Sequence, residues 1–160
     1  MHQYWKEKIF HLEEDRAIQK QVDGRLLVTT NGCFDVFHIG HLHSLFESSR
    51  LGEALIVGLN SDASVRRLKG SDRPVFNQAQ RASILAALPF ITAVVVFEED
   101  TPVNFLRRFK PAVHTKGADY RSRLNQIPEY EVLKDWDGRI EIIEYISDVS
   151  SSETIRRYSR

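Results

Sequence analysis

Leu26-Leu27-Val28-Thr29-Thr30-Asn31-Gly32-Cys33-Phe34-Asp35-Val36-Phe37-His38-Ile39-Gly40-His41 is the stretch on which the reading of this chain turns. It opens with an apolar, β-branched run, residues 26–30, of the kind that fills a buried strand. Asn31 and Gly32 end the run. Residues 39–50 then follow helical periodicity, and Gly52 closes them. A strand that turns through a glycine into a helix leaves free backbone N–H groups at the helix start. Those groups and the positive end of the helix dipole favour a phosphate. Gly32 allows the backbone to approach an anion closely, and Gly40 leaves room above the first helical turn.

His38 and His41 are three residues apart, so they share one helix face. Two imidazoles beside a phosphate-binding turn donate hydrogen bonds to a phosphoryl group and stabilise charge that develops during in-line displacement. The helix N-terminus disfavours imidazolium and a bound triphosphate favours it, so the protonation of both rings is expected to depend on ligand. Each part is common by itself. Glycine turns follow strands in many α/β proteins, and paired histidines at this spacing are often structural. His43 adds a third imidazole, but the trio fits poorly on one helix face for zinc, so no protein-only metal site is expected. Neither a Walker loop nor a Gly-x-Gly-x-x-Gly pattern is present.

Working outward, the same alternation recurs. Residues 54–59, 92–97, 112–116 and 139–145 read as further strands. Helices are expected over residues 62–68, from an Asn77 cap to residue 88, from Thr101-Pro102 onward, and over 150–158. Residues 3–22 read as one helix with Ile9, Leu12, Ile18 and Val22 on its apolar stripe. Residues 69–74 are a polar loop, and 117–137 carry no clear periodicity. Strands alternating with helices imply right-handed crossovers and a Rossmann-like doubly wound α/β sheet of about five parallel strands with flanking helices. Such sheets bind ligands at the carboxyl ends of their strands. The expected organisation is a single domain over residues 1–160 with an N-terminal helical extension of about 24 residues.

Composition bounds the partners. Lys plus Arg and Asp plus Glu are both 22, so the formal net charge is zero and no long nucleic-acid track is expected. Apolar residues make up 42% and charged residues 28%, which suits a folded core. Cys33 is the single cysteine, so no intramolecular disulfide is expected. No apolar signal core or bilayer-length run is present. The expectation is a cytoplasmic protein that engages neither membrane nor nucleic acid.

The combination is more specific than its parts. Gly-x-Phe-Asp at Gly32–Asp35, followed by His38-Ile39-Gly40-His41, resembles the cytidylyltransferase-like nucleotidyltransferases. More narrowly, it resembles the adenylyltransferase domain of the bacterial ADP-heptose synthases. The points of resemblance continue through Asn60-Ser61-Asp62-Ala63-Ser64, Arg67-Leu68-Lys69-Gly70, Arg73-Pro74-Val75 and Gln80-Arg81. They go on through Phe97-Glu98-Glu99-Asp100-Thr101-Pro102 and Lys116-Gly117-Ala118-Asp119-Tyr120. The last is Val149-Ser150-Ser151-Ser152-Glu153-Thr154-Ile155-Arg156, where Ser152 stands at the usual threonine and keeps its hydroxyl. About residues 26–158 are covered.

That resemblance implies transfer of a nucleoside monophosphate from a triphosphate to a sugar phosphate, with pyrophosphate released and Mg2+ accompanying the triphosphate. It implies that His38, His41 and Lys69 are catalytic. It implies that Asn31, Gly32, Cys33, Phe34, Gly40, Lys116, Gly117, Asp119, Ser150, Ser151 and Ser152 line the nucleotide site with the two histidines. Lys69, Arg73 and Arg81 are the candidates for gripping substrate phosphate. Cys33 is expected to contribute its backbone, with its side chain packed. The expected substrates are ATP and a heptose 1-phosphate. The alternatives are CTP with glycerol phosphate or another alcohol phosphate, and a non-catalytic nucleotide-binding module. In many relatives this domain is fused to a sugar kinase; here a separate kinase is expected to supply the acceptor. A homodimer is a further implied state, with no interface residue legible.

Overall fold

A computed structural model describes residues 4–146. Six strands form one parallel sheet: β1 (Ile9–His11), β2 (Leu27–Gly32), β3 (Ala54–Asn60), β4 (Ala93–Phe97), β5 (Val113–Gly117) and β6 (Arg139–Ile143), in the order β1-β4-β3-β2-β5-β6. Every residue of β3 and β4 is buried, as expected for parallel strands covered on both faces. Register runs Thr30↔Val57 between β2 and β3 and Thr30↔Thr115 between β2 and β5.

Helices α1 (Asp15–Val22), α5 (Val103–Phe109) and α6 (Pro128–Leu133) cover one face, where Ile18, Val22, Phe105, Leu106 and Leu133 meet Ile56, Val95 and Phe97. Helices α2 (Ile39–Ser49) and α4 (Gln78–Ala86) cover the other, where Leu45, Ala82 and Leu85 meet Val28, Val57 and Val94. The remaining helix, α3 (Asp62–Lys69), follows β3 directly. Asn77 caps α4 and its partner Gln80 completes a reciprocal capping box. The chain builds outward from β2 through β3 to β4, then crosses back to place β5 on the other side of β2. The crevice at the carboxyl ends of β2 and β5 is the topological switch point, where ligands of such sheets bind.

The N-terminal segment differs from the single helix expected over residues 3–22. It is a 3-10 turn (Tyr4–Lys8), strand β1, a second 3-10 turn (Leu12–Glu14) and then α1. Ile9, Phe10 and His11 pair with Val94, Val95 and Val96, so the sheet has six strands and not about five. The reason is the open edge of β4, whose unpaired backbone groups this extended tripeptide satisfies. Leu12, Ile18 and Val22 are buried as the stripe required, on different elements. The unassigned residues 117–137 hold a 3-10 stretch (Ala118–Gln126) and α6, with Pro128 at its first position. The helix expected over 150–158 lies outside the described residues.

Candidate active site

The carboxyl ends of β2, β3 and β5, with the loops that follow them, enclose a cleft of about 830 Å³. Asn31, Gly32, Cys33, Phe34, His38, Gly40, His41, Lys69, Arg73, Lys116, Gly117 and Asp119 all line it. Most of the residues singled out from sequence are therefore brought together. Arg81 is not among them, and Ser150, Ser151 and Ser152 lie outside the described residues.

The histidine pair is built by the start of α2. His38 is the N-cap, and its Nδ1 accepts a hydrogen bond from the Gly40 amide at 3.1 Å. With Nδ1 so occupied, the proton of the neutral ring sits on Nε2. The His41 ring stacks on the His38 ring with centroids 3.8 Å apart and planes 22° apart. Phe34 and Phe37 flank His41 at 5.3 and 5.7 Å. Among the described residues the buried Nδ1 of His41 has no hydrogen-bond partner. Burial, and then the neighbouring His38, push the His41 pKa down to about 4. Burial also lowers His38. In the free protein both rings are accordingly neutral near pH 7, and each offers an N–H donor.

The turn before α2 takes its left-handed residue at Phe34, with φ +46°, and not at Gly32. A Cβ on Gly32 would lie 3.1 Å from the Phe34 ring, so the glycine makes room for that ring. Asp35 follows, with only 2% of its surface exposed. Its carboxylate accepts hydrogen bonds from the Val75 amide at 2.7 Å and the Phe76 amide at 3.2 Å, and pairs with Nε of Arg73. The sequence reading gave Asp35 no role, although it lies inside the motif. It fastens the loop after α3 across the turn before α2. Arg73 keeps its terminal guanidinium nitrogens out of that bond, and Lys69 ends α3 on the same wall.

Arg81 is placed apart from the other candidate cations. It is 1% exposed and does not line the cleft. Its Nε donates to the Phe76 carbonyl, Nη1 donates to the Cys33 and Asn60 carbonyls, and Nη2 pairs with Asp62 at 2.7 Å. A guanidinium committed to three carbonyls and a carboxylate is a tie between β2, β3 and the loop before α4. The Cys33 thiol is pushed up mainly by burial, which keeps it protonated and packed.

Lys116 closes the opposite wall. Its Nζ pairs with Glu129 at 2.5 Å, donates to Asn31 Oδ1 at 2.8 Å and stands 5.0 Å from the Tyr120 ring centroid. Burial lowers its pKa, while the Glu129 carboxylate opposes that shift. Glu129, on the first turn of α6, was invisible to motif reading because it meets Lys116 only through the tertiary fold. Asp119 accepts from the Tyr145 hydroxyl at 2.5 Å, and a Cβ on Gly117 would lie 2.7 Å from that same oxygen. The glycine is what lets this loop close. Among the described residues no three His, Cys, Asp or Glu side chains group to hold a metal.

A parallel sheet with a glycine turn at its switch point, paired neutral histidines above it and cations on both walls is an arrangement suited to phosphoryl groups. The chain belongs to the cytidylyltransferase-like family, whose profile matches residues 29–157. It is 43% identical over 152 residues to the bifunctional protein HldE of Geotalea uraniireducens, covering 94% of this chain and 31% of that protein. It is 44% identical over 153 residues to the bifunctional protein HldE of Campylobacter jejuni strain RM1221, covering 96% and 32%. The chain thus spans about a third of the length of these relatives. Among solved structures, a lipopolysaccharide core biosynthesis protein from Thermoplasma volcanium superposes with a TM-score of 0.61 at 25% identity, covering 79% of this chain and all of that one. Pantoate-β-alanine ligase from Francisella tularensis superposes with a TM-score of 0.61 at 12% identity, covering 90% of this chain and 69% of that one, and shares the fold.

Proposed function

We propose that this protein transfers AMP from ATP to a sugar 1-phosphate, with a heptose 1-phosphate as acceptor, and releases pyrophosphate. The observation that carries this reading is the cleft itself. Stacked His38 and His41 sit at a phosphate turn between Lys69 and Arg73 on one wall and Lys116 on the other. Identity to the HldE proteins along nearly the whole chain supports the heptose phosphate.

In this mechanism an acceptor phosphate oxygen attacks the α-phosphorus of ATP. A new P–O bond forms as the bond to the β-phosphate oxygen breaks, and pyrophosphate leaves with that electron pair. The acceptor oxygen is already anionic at neutral pH, so no general base is needed. The barrier is repulsion between two anions, which Lys69, Arg73 and Lys116 offset. His38 and His41 donate N–H bonds to phosphoryl oxygens as charge builds, and their stacking fixes the direction of both donors. Magnesium bound to the triphosphate adds neutralising charge. Ser150, Ser151 and Ser152 belong to this proposal as phosphate or nucleotide contacts.

The test is a turnover screen crossing ATP, CTP and GTP with heptose 1-phosphate, other sugar 1-phosphates and glycerol 3-phosphate, followed by pyrophosphate release. Turnover with ATP and the sugar 1-phosphates is expected. Turnover confined to CTP and glycerol 3-phosphate would replace this reading with a cytidylyltransferase, and tight ATP binding without turnover would replace it with a binding module.

A further inference from the structure

The segment after β4 has no part in the mechanism above, yet it forms one end of the cleft. Asp100, Thr101 and Pro102 line the same cavity as Lys69 and Arg73. Asp100 is pinned there by α3. Its Oδ1 accepts from Arg67 Nε at 2.9 Å and from the Ser64 hydroxyl at 3.2 Å, and Arg67 Nη2 lies 2.8 Å away. Arg67 also donates from Nη2 to the Glu98 carbonyl at 2.6 Å, so the loop backbone is held by the same side chain. Lys69 ends this very helix. One short helix therefore sets the position of a phosphate-facing ammonium and of a carboxylate further along the cleft.

A carboxylate in a cleft for two anions needs compensation, which Arg67 and Ser64 supply on Oδ1, and a ligand that approaches its other oxygen must donate to it. Phosphate oxygens at neutral pH donate nothing. Hydroxyl groups do, and a carboxylate oxygen accepts from them readily. The contacts to Arg67 and Ser64 fall on Oδ1 and leave Oδ2 outside those bonds. The Arg67 bond also holds the Asp100 pKa below the ordinary carboxylate value, so the group stays an acceptor. Thr101, exposed and next in sequence, adds a hydroxyl that both donates and accepts.

We infer that Asp100 and Thr101 form the subsite for the acceptor's hydroxyl groups, so the site selects a polyhydroxylated phosphate ester over a sparsely hydroxylated one. The acceptor phosphate then lies toward Lys69 and Arg73, and its ring hydroxyls lie toward the loop after β4. This inference rests on the sugar-phosphate reading and deepens it by naming the residues that recognise the sugar.

The test compares the unaltered protein with Asp100→Asn and Thr101→Val, using ATP with heptose 1-phosphate, mannose 1-phosphate and glycerol 3-phosphate. Asparagine keeps the shape and the acceptor oxygen for Arg67 and Ser64 but loses the charge. Asp100→Asn is expected to raise KM for the sugar 1-phosphates about tenfold or more, and Thr101→Val a few-fold. KM for glycerol 3-phosphate should move less than twofold, so the kcat/KM preference for the sugar collapses. The Kd for ATP, measured by calorimetry on the same samples, should stay within twofold and confirms folding. A sugar KM unchanged in both variants, or an equal loss with all three acceptors, overturns the subsite while the sugar-phosphate reading stands. Absence of turnover by the unaltered protein with every sugar phosphate overturns that reading and this inference together.

Discussion

The Asp35 carboxylate accepts the backbone amide of Val75 at 2.7 Å across a separation of 40 residues, so the turn before α2 and the loop before α4 form one piece. The same carboxylate, 2% exposed, also holds the Phe76 amide and Arg73. Asp35→Ala would leave two amides and a guanidinium without their acceptor, at about 1–3 kcal/mol for each group that stays buried. Asp35→Asn keeps Oδ1 for the amides but replaces Oδ2, the acceptor for Arg73 Nε, with an NH2 donor. The alanine variant is expected to melt several degrees lower. The asparagine variant is expected to melt between the alanine variant and the unaltered protein, since only the amide acceptor survives, while its KM for the phosphate acceptor rises about tenfold. Thermal melts and acceptor titrations check both, and an unchanged acceptor KM in Asp35→Asn would show that Arg73 needs no orientation from Asp35.

His38→Ala and His41→Ala are each expected to lower kcat by roughly two orders of magnitude, equivalent to about 3–4 kcal/mol of transition-state stabilisation, with the fold retained. His41 also makes a prediction about protonation. Its pKa lies near 4 in the folded protein against an ordinary value of 6.5, with burial first among the causes. Between those values the unfolded chain binds more protons than the folded one. The favourable contribution of a neutral His41 is therefore complete above about pH 6.5 and is lost as pH falls from there toward 4. Denaturant unfolding at pH 7 and pH 4.5 should show a larger drop for the unaltered protein than for His41→Gln. NMR titration of the imidazole should give a value near 4 in the free protein and a higher one with ATP bound. An ATP complex with no upward shift would mean that His41 does not face phosphate.

Lys116 supplies a separate pH signature. Burial lowers its pKa, and the Glu129 and Asp119 carboxylates raise it again. The other groups that face it are Asn31, the Tyr120 ring and, on its own strand, buried His114, whose pKa is well depressed. Glu129→Gln removes the nearest opposing charge, so the Lys116 pKa falls further and the ammonium is lost at a lower pH. The basic limb of kcat/KM for ATP is expected to move toward neutral pH in Glu129→Gln. Activity should recover on mild acidification, which a merely misfolded variant would not do. A limb in the unaltered position would separate Lys116 from ATP binding.

Much of this fold was legible because the central strands β3 and β4 are almost wholly apolar. Residues 54–59 and 92–97 carry no alternation, and both are buried on each face as that pattern implies. Strand β1 was not legible because three residues hold no period. Ile9–His11 extends only because the edge of β4 offers backbone partners. The site divides in the same way. His38, Gly40 and His41 are brought together by local geometry at one helix start, and spacing alone records that geometry. Asp35, Asp100 and Glu129 act through partners far along the chain, and spacing holds no record of such partners. Arg81 left a signal that the motif resemblance masked. It stands four residues before Leu85 and one before Ala82, on the side of α4 that faces the core.

That placement of Arg81 leads to an outcome opposite to that of a phosphate ligand. Its side chain is fully buried against the Cys33, Asn60 and Phe76 carbonyls and Asp62. Removing one partner of a buried ionic network costs about 3–5 kcal/mol, because the groups left behind are desolvated and unpaired. Arg81→Ala should therefore unfold at markedly lower denaturant. Arg81→Lys should fall between, since an ammonium keeps the charge and lacks the planar fork that serves three carbonyls at once. Asp62→Asn, which retains an acceptor for Nη2, should cost much less. In the folded fraction of Arg81→Lys, the KM for acceptor phosphate is expected to change far less than in Arg73→Lys, because only Arg73 reaches the cleft. Denaturant midpoints for the three variants, with acceptor titrations at a temperature where each is folded, decide the matter. An Arg81→Lys protein of unaltered stability whose acceptor KM rises tenfold would return Arg81 to the phosphate site.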